Sequence, residues 1–484
     1  MIANLKPYST CKDSGLPWLG KVPEHWSLRR TKTLLRERVE KGFPDEPLLA
    51  ATQMKGVVRK EQFENRTVLA QKDLHLLKLV RMGDFVISLR SFQGGIEYAR
   101  EQGIISPAYT ILYPSDTRIH GFLARLFKSK PYIENLTLYV TGIRQGQNID
   151  YEKLGRSALP FPPLLEQSAI VKFLDHYDRK IKKYIKAKLK LIKLLEEQKQ
   201  SIIHRAVTGQ IDVRTGNPYP AYKPSGVEWL GEVPEHWANN RLKSVLSRPI
   251  RNGLFKKKES FGSGVSLINV ADIYRENFQV ETTTLDRVQA TPEEIRTYQV
   301  QPGDVFFVRS SLKLEGTGRS AVIIDCEPET VFECHLVQGR PNPRRVDPRF
   351  LAIQLNSFGL RHHLISRANI VTMATIAQDV ISSCPLFLPS LTEQSAILDF
   401  IGDSIAKLEA TIDRAHREIS LLREYRIRLI ADVVTGKLDV REAAKNLPDE
   451  PIEPEETEAP EEGTDELAIE DEIVDNAEVD EGTE

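Results

Sequence analysis

The sequence predicts an α/β (α+β) protein made of two similar globular domains separated by two long antiparallel coiled-coil helices, a pseudo-two-fold internal repeat. Three observations carry this expectation. Ser14 to Trp26 reads SGLPWLGKVPEHW, and Ser225 to Trp237 reads SGVEWLGEVPEHW. Glu166-Gln167-Ser168-Ala169-Ile170 returns as Glu393-Gln394-Ser395-Ala396-Ile397, and Val207-Thr208-Gly209 as Val434-Thr435-Gly436. Between these repeats lie two periodic apolar series, the first free of Gly and Pro from Glu166 to Val207, and two divergent stretches of strand-like and helical runs. A period of about 220 residues is far longer than the roughly 20–50 of a solenoid repeat, so the duplicated piece is a whole domain plus helix.

The first element is the opening itself. Trp18-Leu19-Gly20 with Val22-Pro23-Glu24-His25-Trp26, matched by Trp229-Leu230-Gly231 with Val233-Pro234-Glu235-His236-Trp237, is a Gly- and Pro-punctuated aromatic segment whose expected role is packing. His25 and His236 have no nucleophile or ligand set beside them in sequence and are expected to be structural.

The mixed segments follow, with the first domain assigned to 1–160 and the second, with its linker, to 211–385. Asp84–Leu89, Tyr109–Tyr113, Asp304–Val308 and Ala321–Ile324 are β-branched or aromatic runs, two of them opened by Gly-Asp, and read as strands. Gly121–Phe127 and Arg349–Asn356 read as helices.

Each domain then runs through prolines into a long helix, expected at 161–210 and 386–437. Ser390 and Glu393 have capping-box spacing. Ile170, Leu174, Tyr177, Ile181, Tyr184, Leu191 and Leu195 step by alternating fours and threes, with Lys188 filling one position, and Ile397, Ile401, Leu408, Leu422, Tyr425 and Leu429 hold the register. A 3.5-residue period predicts a coiled-coil seam. Lys180, Lys182, Lys183, Lys186, Lys188, Lys190 and Lys193 read mainly as its solvated face.

The net charge of −2 conceals a division. Of 68 acidic residues, 18 fall between Asp449 and Glu484 with no Lys or Arg, so against 66 basic residues the rest of the chain carries +16. A basic body suits a polyanion. The tail, assigned to 446–484, is poor in large apolar residues and is expected to be disordered and inert. Four cysteines ignore the repeat, which favours reduced thiols over a disulfide framework. No apolar stretch approaches the roughly 20 residues of a membrane span, so a soluble, cytoplasmic protein is expected.

Enzymatic motifs are missing where they were sought. Gly316-Thr317-Gly318-Arg319-Ser320 lacks the spacing and lysine of a phosphate loop. Phe261-Gly262-Ser263-Gly264 has no clear apolar strand before it, and Asn217-Pro218-Tyr219-Pro220 has its residues out of order for a methyltransferase catalytic turn. His362-His363 and Cys334-His335 lack metal-ligand spacing. No metal site and no catalytic residue is expected.

The paired Ser-Gly-x-x-Trp-Leu-Gly-x-x-Pro-x-x-Trp openings, the paired Pro-x-Leu-x-Glu-Gln helix starts and the Val-Thr-Gly helix ends together resemble the specificity (S) subunit of Type I restriction-modification systems, over about residues 1–441. The resemblance implies two target-recognition domains, each reading half of a bipartite double-stranded DNA site, with the helices setting the spacer. It also implies two methylation (M) subunits and, in the full complex, restriction (R) subunits as partners. No cofactor is expected in this chain; S-adenosylmethionine, ATP and Mg would belong to those partners. Trp18, Trp26, Glu166, Gln167, Trp229, Trp237, Glu393 and Gln394 are the candidates for scaffold and partner docking.

Base readout needs Arg, Lys, Asn and Gln at groove edges, while contacts to phosphate supply salt-dependent affinity. The loop candidates are Arg90, Gln93, Arg144, Gln145, Gln147 and Asn148 in the first domain, and Arg309, Lys313, Arg319, Arg367 and Asn369 in the second. The other reading of the same features is a non-catalytic coiled-coil scaffold for protein partners without sequence-specific readout.

Overall fold

A computed structural model of the chain describes residues 5–53, 55–62, 73–141 and 148–448. Arg144, Gln145, Gln147 and the acidic tail from Asp449 lie outside the described residues. Two compact units emerge: one holds the chain up to Ala187 together with the part from Arg417 onward, the other holds Lys188–His416. Each long helix therefore begins in one unit and ends in the other.

In the first unit the opening folds as an antiparallel hairpin, Cys11–Asp13 with Lys21–Pro23. Ser27–Arg30 then pairs with Ala158–Phe161, which stitches the domain's entry to its exit. The central sheet is antiparallel, in the order Leu35–Arg38, Thr110–Pro114, Phe85–Ile87, Glu97–Tyr98. Its Phe85 and Leu112 pack against Phe122, Leu126 and Phe127 of the helix His120–Phe127 and Tyr132 of Lys130–Leu136.

The second unit repeats this plan. Tyr222–Pro224 pairs with Glu232–Pro234, and Ala238–Arg241 pairs with Pro385–Leu388. Its central antiparallel sheet runs Arg251–Asn252, Leu336–Gly339, Val305–Val308, Ser320–Val322. The helices Pro348–Leu355 and Phe358–Ile365 follow, as their counterparts do in the first unit. An added three-stranded sheet centred on Phe261–Ile268 contains the parallel pairing Leu267↔Val331; the other strand ladders are antiparallel, which makes the architecture α+β.

The long helices are Leu164–Val207 and Leu391–Val434, 44 residues each. At 1.5 Å per residue each is about 66 Å long. In the first unit the beginning of the first helix packs with the end of the second, where Ile170, Phe173 and Leu174 share a core with Leu429, Val433 and Val434 and Asp178 pairs with Arg426. In the second unit the end of the first helix packs with the beginning of the second, as Ile203 and Val207 share a core with Ile397 and Ile401. Helices paired start-to-end are antiparallel.

The seam departs from the expected register at several positions, and Leu191 and Tyr425 join Tyr184 among the exposed ones. Tyr184 is exposed, and Ile185 is buried in its place, after Ile181. An α-helix with 3.6 residues per turn drifts against a strict 3.5 repeat, so the buried stripe moves one residue onward unless the helices supercoil to follow it.

Candidate nucleic-acid interface and the repeated carboxylate hubs

The repeated residues converge on one carboxylate in each unit. Glu166, in the first turn of its helix, is buried. Its Oε1 accepts from Tyr8 Oη at 2.6 Å and Trp26 Nε1 at 2.9 Å, and its Oε2 lies 2.7 Å from His25 Nε2. Glu393 repeats the arrangement: Oε1 accepts from Tyr219 Oη at 2.6 Å and Trp237 Nε1 at 3.1 Å, with His236 Nε2 2.9 Å from Oε2. The two histidines are structural partners of a buried acid, as the sequence suggested.

Burial pushes the Glu393 carboxyl up, but donations from Tyr219, His236 and Trp237 outweigh it and hold the group below its ordinary value. Burial, reinforced by the carboxylate, pushes the phenols of Tyr8 and Tyr219 upward and keeps them protonated as donors.

The glutamines beside these acids close the helix entry. Gln167 Nε2 donates to the Pro162 carbonyl at 2.9 Å, and Gln394 Nε2 to the Pro389 carbonyl at 3.0 Å. Gln394 Oε1 also accepts from the Asp347 amide at 2.8 Å. Ser390 Oγ caps the second helix by accepting from the Glu393 amide at 3.3 Å. The Glu393 side chain serves the hub and does not reach back to complete the box.

Helix ends complete each hub. Gly209 packs on Pro234 and Trp237 of the second opening, while Gly436 packs on Pro23 and Trp26 of the first. Both glycines have positive φ, +76° and +78°, and a Cβ on either would fall within 2.4 Å of a proline ring carbon. Beyond them Asp212–Arg214 and Asp439–Arg441 form matching ion pairs, and Arg441 lies over the Tyr8 ring. In the second unit this segment continues directly into Tyr219, with Asp212 bridging to Asn217. In the first unit the equivalent bridge joins Asp439 to Lys6, from opposite ends of the sequence. The bridge beside the first hub thus joins segments far apart in sequence, while that beside the second closes within one short stretch.

Several members of these hubs escaped the sequence reading. Tyr8 and Tyr219 both stand six residues before the repeated Ser-Gly, and Asp-Val-Arg recurs five residues after the start of each Val-Thr-Gly. Extending the repeat outward from its strongest motifs would have found them.

Trp26, Trp237, Glu166, Gln167, Glu393 and Gln394 are all buried. They hold the scaffold internally and present no free surface to a partner. Trp18 and Trp229 are half-exposed. Trp18 meets the Tyr132 ring edge-on, with centroids 5.6 Å apart, and Trp229 Nε1 donates to His363 Nδ1 at 3.3 Å, so each ties the opening to the second helix of its own domain.

The second domain's base-reading candidates gather on one set of loops. Arg309 lies between the strands Val305–Val308 and Ser310–Ser311, Lys313 is exposed on the loop that follows, and Arg319 precedes Ser320–Val322. Arg367 is exposed and donates to the His363 carbonyl at 2.9 Å; Asn369 begins the exposed edge strand Asn369–Ile370. In the first domain, Arg90 precedes the short helix Ser91–Gly94, which carries the exposed Gln93. Asn148 pairs with Thr141 in a two-residue strand. Among the described residues no group of three or more His, Cys, Asp or Glu is placed to hold a metal, and no helix is long and apolar enough to cross a membrane.

No protein-family model matches the chain. It is 28% identical over 179 residues to the MjaX type I restriction enzyme specificity subunit of Methanocaldococcus jannaschii, covering 36% of this chain and 40% of that protein. It is 21% identical over 298 residues to the MjaVIII type I restriction enzyme specificity subunit of the same organism, covering 61% and 65%. The StySPI type I restriction enzyme specificity subunit of Salmonella potsdam matches at 25% over 220 residues, 43% and 44% of the two chains. The matched stretches thus span less than two thirds of each relative's length.

Among solved structures, the HsdS subunit from Thermoanaerobacter tengcongensis superposes with a TM-score of 0.50 at 17% identity, over 88% of this chain and all of that one. A chain from a study of complex assembly and conformational transition of the type I R-M system gives 0.62 at 16%, over 86% and 99%. The chain is thus similar in sequence to type I specificity subunits, as its paired motifs indicated, and shares the fold of the solved HsdS subunit.

Proposed function

We propose that this homologue of type I specificity subunits is the DNA-reading subunit of a cytoplasmic restriction-modification complex. Each globular domain reads one half of a bipartite double-stranded site, the helices set the spacer and dock two methylation subunits, and restriction subunits join in the full complex. S-adenosylmethionine, ATP and Mg are used by those partners.

The observation that carries the proposal is the contrast between the hubs and the surfaces they support. Two hubs of the same residues and geometry hold domains whose loop residues differ, such as Arg90 and Gln93 in one and Arg309, Lys313 and Arg319 in the other. Equivalent mounting with unequal reading surfaces is what a non-palindromic pair of half-sites demands. The basic body supports polyanion binding through counterion release.

Sequencing the host methylome with and without this chain tests the proposal. A split adenine-methylation motif is expected to disappear with the chain. An unchanged methylome in an otherwise active system would remove the function.

A further inference from the structure

The second unit carries a surface where arginines outnumber the acids beside them. Arg361, on the helix Phe358–Ile365, reaches the loop Leu312–Thr317 and donates to the Glu315 carbonyl. Its Nε is buried and has no hydrogen-bond partner among the described residues. Burial, followed by the neighbouring Arg319, holds this guanidinium below the usual arginine range, with Tyr274 and Glu315 acting in the opposite sense. Arg309 Nε is likewise buried and unpartnered. The carboxylate of Glu315 faces solvent on that loop and forms no ion pair with Arg361 among the described residues.

A hairpin stands beside these arginines. Asn369–Ile370 pairs with Ala374–Thr375, whose other edge is bonded to Ser310–Ser311. The same loop anchors it, since Thr317 Oγ1 donates to the Ala374 carbonyl at 3.3 Å. The Ile376 amide donates to the Arg309 carbonyl at 2.9 Å. The hairpin's tip is apolar and open to solvent: Ile370 is 64% and Val371 85% exposed, with Leu312 at 82% on the loop nearby.

Arg319 belongs to the same turn, its amide donating to the Gly316 carbonyl at 3.4 Å, one residue from the carbonyl that Arg361 holds. A guanidinium taken out of water with no ion pair is costly, and a second one nearby adds to the cost, so an anion would complete the arrangement. A two-stranded ribbon fits a major groove about 12 Å wide, and apolar side chains there meet thymine methyl groups. We propose that Arg361 and Arg319 together seat one phosphate of double-stranded DNA, and that the Asn369–Thr375 hairpin enters the adjoining major groove with Ile370 and Val371 at its tip. The proposal rests on the DNA-reading function above and adds to it the residues and the division of labour. The arginine pair supplies sequence-independent affinity, and the ribbon supplies readout.

The test uses the full chain and a labelled duplex of about 30 bp of random sequence, with anisotropy followed between roughly 50 and 400 mM salt. R361Q and R319Q are each expected to flatten the slope of log affinity against log salt by about 0.9, the value for one phosphate, which is roughly an eightfold loss at 0.1 M salt relative to 1 M. The double variant should flatten it no further, because the two arginines share that phosphate. R361K keeps the charge and should keep the slope. I370S/V371S should leave the slope intact and alter one half of the methylated motif in the host.

Unchanged slopes in both glutamine variants, with a steep slope in the parent, overturn the seat while leaving the DNA reading intact. A doubled loss in the double variant overturns the sharing. An unaltered motif with I370S/V371S overturns the ribbon's part. A parent chain with no salt-dependent duplex binding overturns the DNA reading and the seat with it. If R361Q fails to fold, R319Q supplies the slope, because Arg319 is half-exposed and makes no side-chain bond among the described residues.

Discussion

Replacing Glu166 separates two accounts of the hub: a buried charge, or a buried acceptor with an exact complement of donors. Tyr8 Oη and Trp26 Nε1 both converge on Oε1, while among the described residues Oε2 is bonded to His25, whose side chain is 39% exposed. Glu166→Ala therefore strands two buried donors, and His25 turns to water. At about 1–3 kcal/mol for each orphaned buried group, the loss is about 2–6 kcal/mol. In Glu166→Gln the amide oxygen can occupy the Oε1 position and keep both donors, and its nitrogen can donate to a neutral His25. That change should cost about 1 kcal/mol.

Calorimetric melting of the two variants beside the parent measures the difference, at roughly 3 °C per kcal/mol for a unit of this size. Glu393→Ala and Glu393→Gln should repeat the pattern. If the glutamine variants fall as far as the alanine variants, charge outweighs acceptor geometry and the reasoning fails. If alanine costs nothing, the hub does not hold the helix to its domain.

Three further outcomes follow from the same structure. Gly209→Ala and Gly436→Ala should each destabilise by about 2–4 kcal/mol, from the left-handed backbone and the proline contact together, as read by thermal melting. Glu97 is buried against Lys128 at 2.5 Å, and burial, only partly offset by that lysine, pushes its carboxyl up to about 7. A raised acid makes the folded state hold more protons than the unfolded one, so stability should fall as pH rises from about 4.5 to 7; Glu97→Gln should abolish that slope in urea titrations. Inserting seven residues, about two turns, into a long helix should lengthen the unspecified spacer of the methylated motif and leave both half-sites as they were. Altered half-sites with the old spacer would contradict the helices as rulers.

How far the sequence reached depends on what each residue answers to. Helix extent was legible because 44-residue elements with no Pro and a single Gly, Gly402, between them leave a long periodic record, and the Pro-led starts and Gly-marked ends bound it within a few residues. The glutamate hubs were legible in part: the repeat exposed Trp26, His25 and Glu166 as a set, but their convergence on one carboxylate is a matter of distance across 140 residues of chain. Arg361 gave no signal, because its significance lies in the hydrogen-bond partner its buried Nε lacks among the described residues, and a missing partner is visible only once neighbours are in place.

The sequence alone determined the duplication, the α+β domains with their paired helices and the family resemblance, since these rest on local pattern and on repetition that survives without coordinates. Tertiary structure decided which side chains close each hub and that Lys6 and Asp439, far apart in sequence, meet beside the first. It also decided where the seam leaves its heptad and which arginines stand uncompensated. Those depend on burial and on contacts between residues far apart in sequence, where the energy of a polar group is set by what surrounds it and not by its place in the chain.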